Sequence, residues 1–595
     1  MSRDAANFSQ GPAKFIEIVA QLEQESSPMR RISLEEAEAF IGDDPGAAFE
    51  HPVLDLLARL EEKDQPAFER LRKRITKTSR IAEVDKALRK FKGYEESAEG
   101  DAAHEILLRL ASNNAEFFSN VDGQPFARLL NMEKPEIWHL SSKMFRRWLS
   151  HLYYRDTGGA PSKEAVTSAS NVLEAMALFD GDEYEVHLRT ASVQGRIYID
   201  LVKSDWSIVE VHEKGWQVLH SDDIRFRRTT GMLGLPHPEN GGDIEELRSL
   251  LNLADDNSFK LLVFWLLSAL RGTGPYPVLV LNGEQGSAKS TFSKIVRLLT
   301  DPSSADLRTL PREEREFFIS AMNSHVMAFD NVSQISDMKS DTICRIATGA
   351  GASFRQLYTD QDEVMFQVSR PIILNGIGNI VDRADLADRC VFINLKPISI
   401  DERKSQSEIM EAFDAVRPAI FGALLDGLAH GLRKLPSISP LNLPRMADFA
   451  IWSMACETAY WEEGSFGQAY DRNLTDSVEV MLEDDPLFLV LQRVIASDGL
   501  IKETATELLA KLIFYAKVGG LSGKLIPDTA DQLGKRLTRM APNLRKLGWL
   551  IEKKRLGEKG ERVWIIKSVS PVVSDVSEQL TVSLTDGSDT SDAVD

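Results

Sequence analysis

Apolar residues recur at helical spacing through the first part of the chain. Phe15, Ile18, Val19 and Leu22 share one 3.6-period face, and Leu54, Leu57 and Leu60 share another. Residues 1–95 are therefore expected to be helical. The polar stretch EESAEGDA then suits a linker. From 103 to 245 the pattern turns mixed. VHLRTASV, RIYIDLV and WSIVEVH read as strands, and the short polar turn Lys203–Asp205 joins the last two as a hairpin. This block reads as a mixed α/β accessory domain whose residues point to no chemistry. Between 246 and 400, short apolar runs suited to buried parallel strands are separated by helix-period segments, as in an α/β core. Residues 401–480 read as a helical lid. Residues 484–567 form a compact unit of helices followed by two strands. From Ser568 to Asp595 the chain has no Lys or Arg and is rich in Ser, Thr, Val and Asp, so this tail is expected to be disordered.

Composition narrows the classes. A chain of 595 residues exceeds one hydrophobic core, so several domains are expected. The apolar run Leu261–Leu270, bounded by Lys260 and Arg271, is too short to cross a bilayer, which takes ~20 residues. The start, MSRDAANFSQ, carries no secretory pattern. Cys344, Cys390 and Cys456 form no CxxC pair, which fits a reducing cytoplasm and argues against a zinc site. The formal net charge of −20 excludes a general nucleic-acid coat, so DNA binding needs a local concentration of cations. The basic run Arg70–Arg80 reads as a solvated helix face.

Chemistry concentrates after residue 277. Pro277–Leu281 is a buried-strand run, GEQGSAKS follows it, and Phe292, Ile295, Val296 and Leu299 continue at helix period. The order strand, loop, helix is that of a Walker A phosphate loop, G-x-x-x-x-G-K-[ST], with Ala288 at the second glycine. Gly283, Glu284, Gln285, Gly286, Ser287 and Ala288 would wrap phosphates with backbone N–H groups, up to Thr291 on the helix. Lys289 would neutralise the β- and γ-phosphates of ATP, and the Ser290 hydroxyl would hold Mg²⁺. Ala288 is acceptable there if its φ is negative. In HVMAFDN, Asp330 ends a second buried strand and suits the second Mg²⁺ ligand, with Asn331 next to it. In RPIILNGIGN, Asn375 ends a third and suits positioning of the attacking water. In DLADRCVFINL, Arg389 leads into a fourth and reads either as an arginine finger for a neighbour's ATP or as an ion-pair partner of Asp385 or Asp388.

GEQGSAKST, FDN, ATGAGASFRQLYTD, RPIILNGI and DLADR, in this order, resemble superfamily 3 helicases and related AAA+ ATPases. The likeness extends over roughly residues 100–480 and is greatest to the helicase domains of poxvirus-type primase-helicases on phages, plasmids and integrated elements. It implies an ATP-driven, hexameric ring moving on single-stranded or forked DNA, with Lys289, Ser290, Asp330, Asn375 and Arg389 in the roles above. It also implies a lid arginine sensing the γ-phosphate, for which Arg445 in LPRMADFAIW is the candidate. There are departures. Asn331 stands where many such motors carry a glutamate base. The pore hairpin, RQLYTDQDEVMFQV, has an acidic tip at Asp360–Glu363, with only Arg355 basic. No primase signature precedes the motor, so a separate primase is a candidate partner.

The C-terminal unit reads as helix 502–516, a second helix with Ala530, Leu533, Leu537, Leu544 and Leu547 on its apolar face, and two strands joined by a basic turn. This looks like a winged helix-turn-helix. Lys535, Arg536, Arg539, Arg545 and Lys546 would line its helix, and Lys553, Lys554, Arg555, Lys559 and Arg562 its wing, for DNA or for protein contacts. Two functions follow: a replicative helicase of a mobile element, or an oligomeric ATPase switch sensing nucleic acid or a protein partner, for example in antiviral defence.

Overall fold

A computed structural model describes residues 32–43, 51–75, 88, 103–130, 136–221, 223–355, 363–376, 378, 380–440, 442–483, 485–518, 526–556 and 561–568. The expected disordered tail lies outside the described residues apart from Ser568. The chain divides into two compact units, Met1–Tyr184 and Glu185–Asp595. The division falls inside the block 103–245 that reads as one accessory domain in sequence.

In the first unit, helices Leu34–Asp43, His51–Lys63 and Gln65–Ile75 bury Ile41, Leu57, Leu71 and Ile75. Beyond them, a helix over 103–114 leads into an antiparallel sheet whose central strand, Pro125–Leu129, pairs with Ala115–Ser119 and Glu136–His139. Helices Lys143–Thr157 and Lys163–Phe179 follow. Each begins on a serine, Ser142 or Ser162, whose side chain accepts from a backbone N–H of the first turn. They bury Phe145, Leu149 and Leu173 beside Leu107 and Ala127.

The second unit opens with an antiparallel sheet, β1 (Thr190–Val193), β2 (Arg196–Asp200), β3 (Ile208–His212) and β4 (Gly215–Leu219), in that spatial order. The hairpin expected across Lys203–Asp205 is the β2–β3 pair. This sheet belongs with the second unit because buried charge stitches it there. The fully buried Arg189 donates to Asp301 Oδ1 (3.0 Å) and to the carbonyls of Asp200 (3.0 Å) and Leu233 (2.9 Å). Asp301 in turn accepts from the backbone N–H groups of His325 (3.0 Å) and Val326 (3.1 Å). Burial would raise the Asp301 carboxyl, but the Arg189 and Arg297 charges hold it below its ordinary range. Strand hydrophobicity does not reveal such a network.

The apolar run near Leu261 becomes α1 (Asp256–Leu270), buried on nearly every side and capped by Asp255. The sheet beside it contains β5 (Val278–Asn282), then α2 (Lys289–Thr300), α3 (Glu314–Asn323), β6 (Met327–Val332) and α4 (Asp337–Thr348). A separate hairpin, β7 (Ala352–Arg355) with β8 (Glu363–Phe366), precedes β9 (Ile372–Gly376), α5 (Ala384–Ala387) and β10 (Cys390–Asn394). The spatial order is β6-β9-β5-β10, and all its pairs are parallel. Helices α6 (Gln406–Lys434), α7 (Ala447–Glu457) and α8 (Ser465–Glu483) pack behind it around Trp452, Phe449 and Tyr470. The C-terminal part is α9 (Pro486–Asp498), β11 (Ile501–Thr504), α10 (Ala505–Val518), α11 (Ala530–Lys546), β12 (Trp549–Leu556) and β13 (Glu561–Ser568), with β13 between β11 and β12. Lys502–Thr504, expected in a helix, is strand. Thr504 caps α10, its hydroxyl accepting from Glu507 N–H while the Glu507 carboxylate accepts from Thr504 N–H, so the helix starts at Ala505.

Candidate functional site

Parallel strands bring their C-terminal ends to one edge, and the loop 283–288 leaves β5 there. Space at the loop is tight. A Cβ on Gly283 would meet Ser287 Oγ at 2.6 Å and Leu395 Cβ at 3.2 Å, so any larger residue there displaces its neighbours. Gly286 has φ 86°, which also suits glycine. Ala288 has φ 63° and ψ 27°, in the left-handed region. The condition of a negative φ is therefore not met: the turn into α2 needs a left-handed residue, and alanine takes that conformation at a cost of roughly 1–2 kcal/mol. No side chain caps α2, which leaves its first-turn N–H groups facing the loop. Lys289 folds back, its Nζ donating to the carbonyls of Gly283 and Glu284 at 2.7 Å each. Burial pushes this amine down, and the Asp330 carboxylate opposes the shift. Ser290 is exposed and Ser287 buried on the same turn.

Register aligns the neighbouring strands with this loop. Leu281 pairs with Asn375, and Phe329 with Leu374, so Asp330 and Asn375 reach the same edge. The buried Asn375 side chain is held at both ends: Nδ2 donates to Ser293 Oγ on α2 (2.9 Å), and Oδ1 accepts from Asn331 N–H (3.2 Å). Asn331 takes φ 56° at a break in the β6–β9 register, which leaves its side chain exposed beside Asp330. Lys289, Ser290, Asp330, Asn331 and Asn375 thus share one edge. Ser290 and Asp330 are the oxygen donors suited to a hard cation there.

Arg389 and Arg445 lie at the opposite edge. Val278 pairs with Cys390 and Asn282 with Asn394, so Arg389 precedes β10 a full strand away from its own loop, roughly 13 Å at ~3.3 Å per residue. Its guanidinium pairs with Asp385 at 2.7 Å. Arg445 pairs with the same Asp385 oxygen at 2.7 Å and approaches Asp388 at 3.9 Å. Burial would raise the Asp385 carboxyl, but Arg389, Arg445 and Arg383 hold it below its ordinary range. Arg445, the candidate for sensing the γ-phosphate, thus pairs at the edge away from its own loop, where the chain between α6 and α7 carries it.

A different arginine occupies the loop. A Cβ on Gly286 would lie 3.2 Å from Arg403 Nη2, which brings this guanidinium against the middle of 283–288. Arg403 follows a short turn, Ile400–Glu402, just before α6. Sequence reasoning passed it over because it belongs to no strand-end pattern. Its position immediately ahead of the lid was the available signal.

The candidate DNA contacts divide. Arg355 ends β7 opposite Glu363 on β8, and the hairpin tip 356–362 lies outside the described residues, as does Lys559. Much of the positive charge on α11 is engaged within the chain. Arg536 pairs with Asp485 (2.9 Å), Lys546 with Asp388, Lys535 with Asp531 (2.8 Å), and Arg545 donates to the Ile551 carbonyl (3.1 Å). Arg539 lines a cleft of about 680 Å³ with Arg536, Arg383, Asp385 and Asp485. Lys535, Arg539, Arg545 and Lys546 are nevertheless exposed, and only Arg536 is half-buried. On the hairpin Lys553, Lys554, Arg555 and Arg562 are also exposed, Lys554 pairs with Glu552, and Arg555 stands directly opposite Arg562. Like charges in that position are destabilising on their own.

Residues 244–477 match the family model described as actinomycete integrative conjugative element replication protein, and residues 489–579 match the model of the AICE RepA C-terminal domain. No curated protein matches the chain. Among solved structures, the A form apo structure of the NrS-1 C-terminal region is 12% identical, with 78% of this chain and 98% of that chain covered and a TM-score of 0.37. A structure titled SCCmec type IV Cch, active helicase, is 12% identical, with 77% and 94% covered and a TM-score of 0.40. Among the described residues, no helix is long and apolar enough to cross a membrane.

Proposed function

We propose that this chain is an ATP-hydrolysing, DNA-translocating motor of the superfamily 3, AAA+ kind that serves replication of an integrated mobile element. The observation that carries the reading is the shared edge. An uncapped helix start, a lysine amine held by the loop's own carbonyls and, at 3.5 Å, the Ser287 hydroxyl, a carboxylate and a buried, doubly anchored asparagine all converge there. A helix N-terminus with a lysine beside it is suited to a polyanion. The match of residues 244–477 to a replication-protein family supports the mobile-element setting.

In this reading the loop residues Gly283–Ala288 wrap the phosphates, with Thr291 on the first turn of α2. Lys289 exchanges two carbonyls for phosphate oxygens. Ser290 and Asp330 hold Mg²⁺, which supplies neutralisation of phosphate charge. Asn375, immobilised by Ser293 and Asn331, orients the attacking water. Arg403 adds a cation from the same chain. Arg389, facing away from its own loop, acts on the loop of the next subunit in a closed ring, hexameric by analogy, and Arg445 stands with it. The C-terminal part serves as a winged helix that meets DNA first through its hairpin. A separate primase is the natural partner.

The test is ATP turnover with and without single-stranded DNA, beside Lys289→Ala. Turnover that DNA stimulates and the substitution abolishes is expected. Turnover indifferent to DNA would overturn the motor and leave an ATPase switch. No turnover would overturn both.

A further inference from the structure

The helix Lys143–Thr157 in the first unit carries a charge arrangement that no contact among the described residues balances. Lys143, Arg147, His151 and Arg155 recur every fourth residue, and all four are exposed. On a helix this spacing makes one ridge, roughly 18 Å long, with its groups about 6 Å apart along the axis. Lys143 and Arg147, like charges four residues apart, repel. Lys143 and Arg147 also sit at the positive end of the helix dipole, with no acidic residue in the first turn. The helix's carboxylate, Asp156, is directed elsewhere, pairing with Arg109 at 3.3 Å. Among the described residues, none of the three cations, Lys143, Arg147 and Arg155, has a hydrogen-bond or ion-pair partner for its charged end. In a chain of net charge −20, such a ridge is conspicuous. Beside it Tyr154 is 61% exposed, although Phe145 and Leu149 on the opposite face are fully buried.

We propose that this helix is a docking face for single-stranded nucleic acid. The ridge follows the phosphates, and Tyr154 stacks on an unpaired base. Phosphates remove the repulsion within the ridge and the conflict with the dipole together. An exposed aromatic ring favours a single strand, because duplex bases have no free face to offer. The proposal does not rest on nucleotide hydrolysis, and it assigns a function to a region separate from the hairpin of β12 and β13.

The test uses the full chain without nucleotide and a fluorescein-labelled 20-nucleotide single-stranded DNA, read by anisotropy across a salt series. The variants are Lys143→Gln/Arg147→Gln/Arg155→Gln together, and Tyr154→Ala alone. Circular dichroism checks that helix content is kept, which exposed positions should allow. The triple variant is expected to lower the slope of log K against log salt by about 2, at ~0.7 per phosphate contact on a single strand. Tyr154→Ala is expected to weaken binding roughly tenfold with the slope unchanged. A folded triple variant with wild-type affinity and slope overturns the proposal. So does an equal loss on a blunt duplex of the same length, which would make the face a general polyanion surface. Basal ATP turnover without DNA should not change in either variant. Failure of the hydrolysis reading is thus visible separately from failure here.

Discussion

The two edges of the parallel sheet carry charge in opposite ways. At the C-terminal edge, Lys289 is bonded to backbone carbonyls, α2 has no cap and Asn375 is locked in place. At the N-terminal edge, Arg389, Arg445 and Lys546 are each paired, through only two carboxylates, Asp385 and Asp388. The first edge gathers donors and a carboxylate around one loop. The second is a saturated network that must open before any of its arginines can meet a neighbour's phosphate. Surface pairs of this kind are worth about 0–1 kcal/mol each, so a subunit contact can displace them readily.

The sharpest way to break this comparison is a mixing experiment. Lys289→Ala should abolish turnover, and Arg389→Ala should reduce it by about a thousandfold or more, the range for trans-acting arginines. Arg389→Ala should leave nucleotide binding intact. If the edges serve different subunits, mixing the two inactive chains restores part of the turnover, because some interfaces combine an intact loop with an intact arginine. No recovery in co-assembled mixtures would sink the division of labour.

Arg403 sharpens the assignment of the first edge. Losing one charge-assisted contact should raise the KM for ATP roughly tenfold in Arg403→Ala and leave Arg445→Ala with a near-normal KM. The reverse pattern in steady-state kinetics would return the sensing role to Arg445. A smaller effect concerns the second edge. Asp388→Asn removes the pair to Lys546 and should raise DNA affinity by up to about fivefold, the worth of one surface pair. Anisotropy at low salt measures it, and unchanged or weaker binding would show that the pair does not restrain the C-terminal part.

The smallest expected effect is on stability. Ala288→Gly relieves the left-handed alanine, worth roughly 1–2 kcal/mol, but gives the unfolded chain about 0.4–1 kcal/mol of extra freedom. The net gain should stay near 1 kcal/mol or below, read as a rise in the urea midpoint. A fall would mean that the methyl group makes a contact the backbone argument misses.

The strand, loop and helix of the first edge were legible because they are contiguous. An apolar run, a glycine-spaced loop and a helix-period segment follow one another within Pro277–Leu299, and each specifies its own local geometry. Asp330 and Asn375 were legible for a related reason, since a polar residue ending a buried parallel strand can only emerge at that edge. The same pattern gave the C-terminal hairpin and the pairing of β2 with β3. The sign of φ at Ala288 was not legible, because the turn into α2 sets it and the residue does not. Nor were the partners of the cations. Lys546 meets Asp388 and Arg189 meets Asp301, residues far apart in sequence. Arg403, not Arg445, reaches the loop because of where the chain runs around α6. The sequence by itself determined which local elements form and which residues end them. Only the tertiary structure decided which charges meet, because an ion pair depends on distance in space, and long-range chain path is written in no single segment.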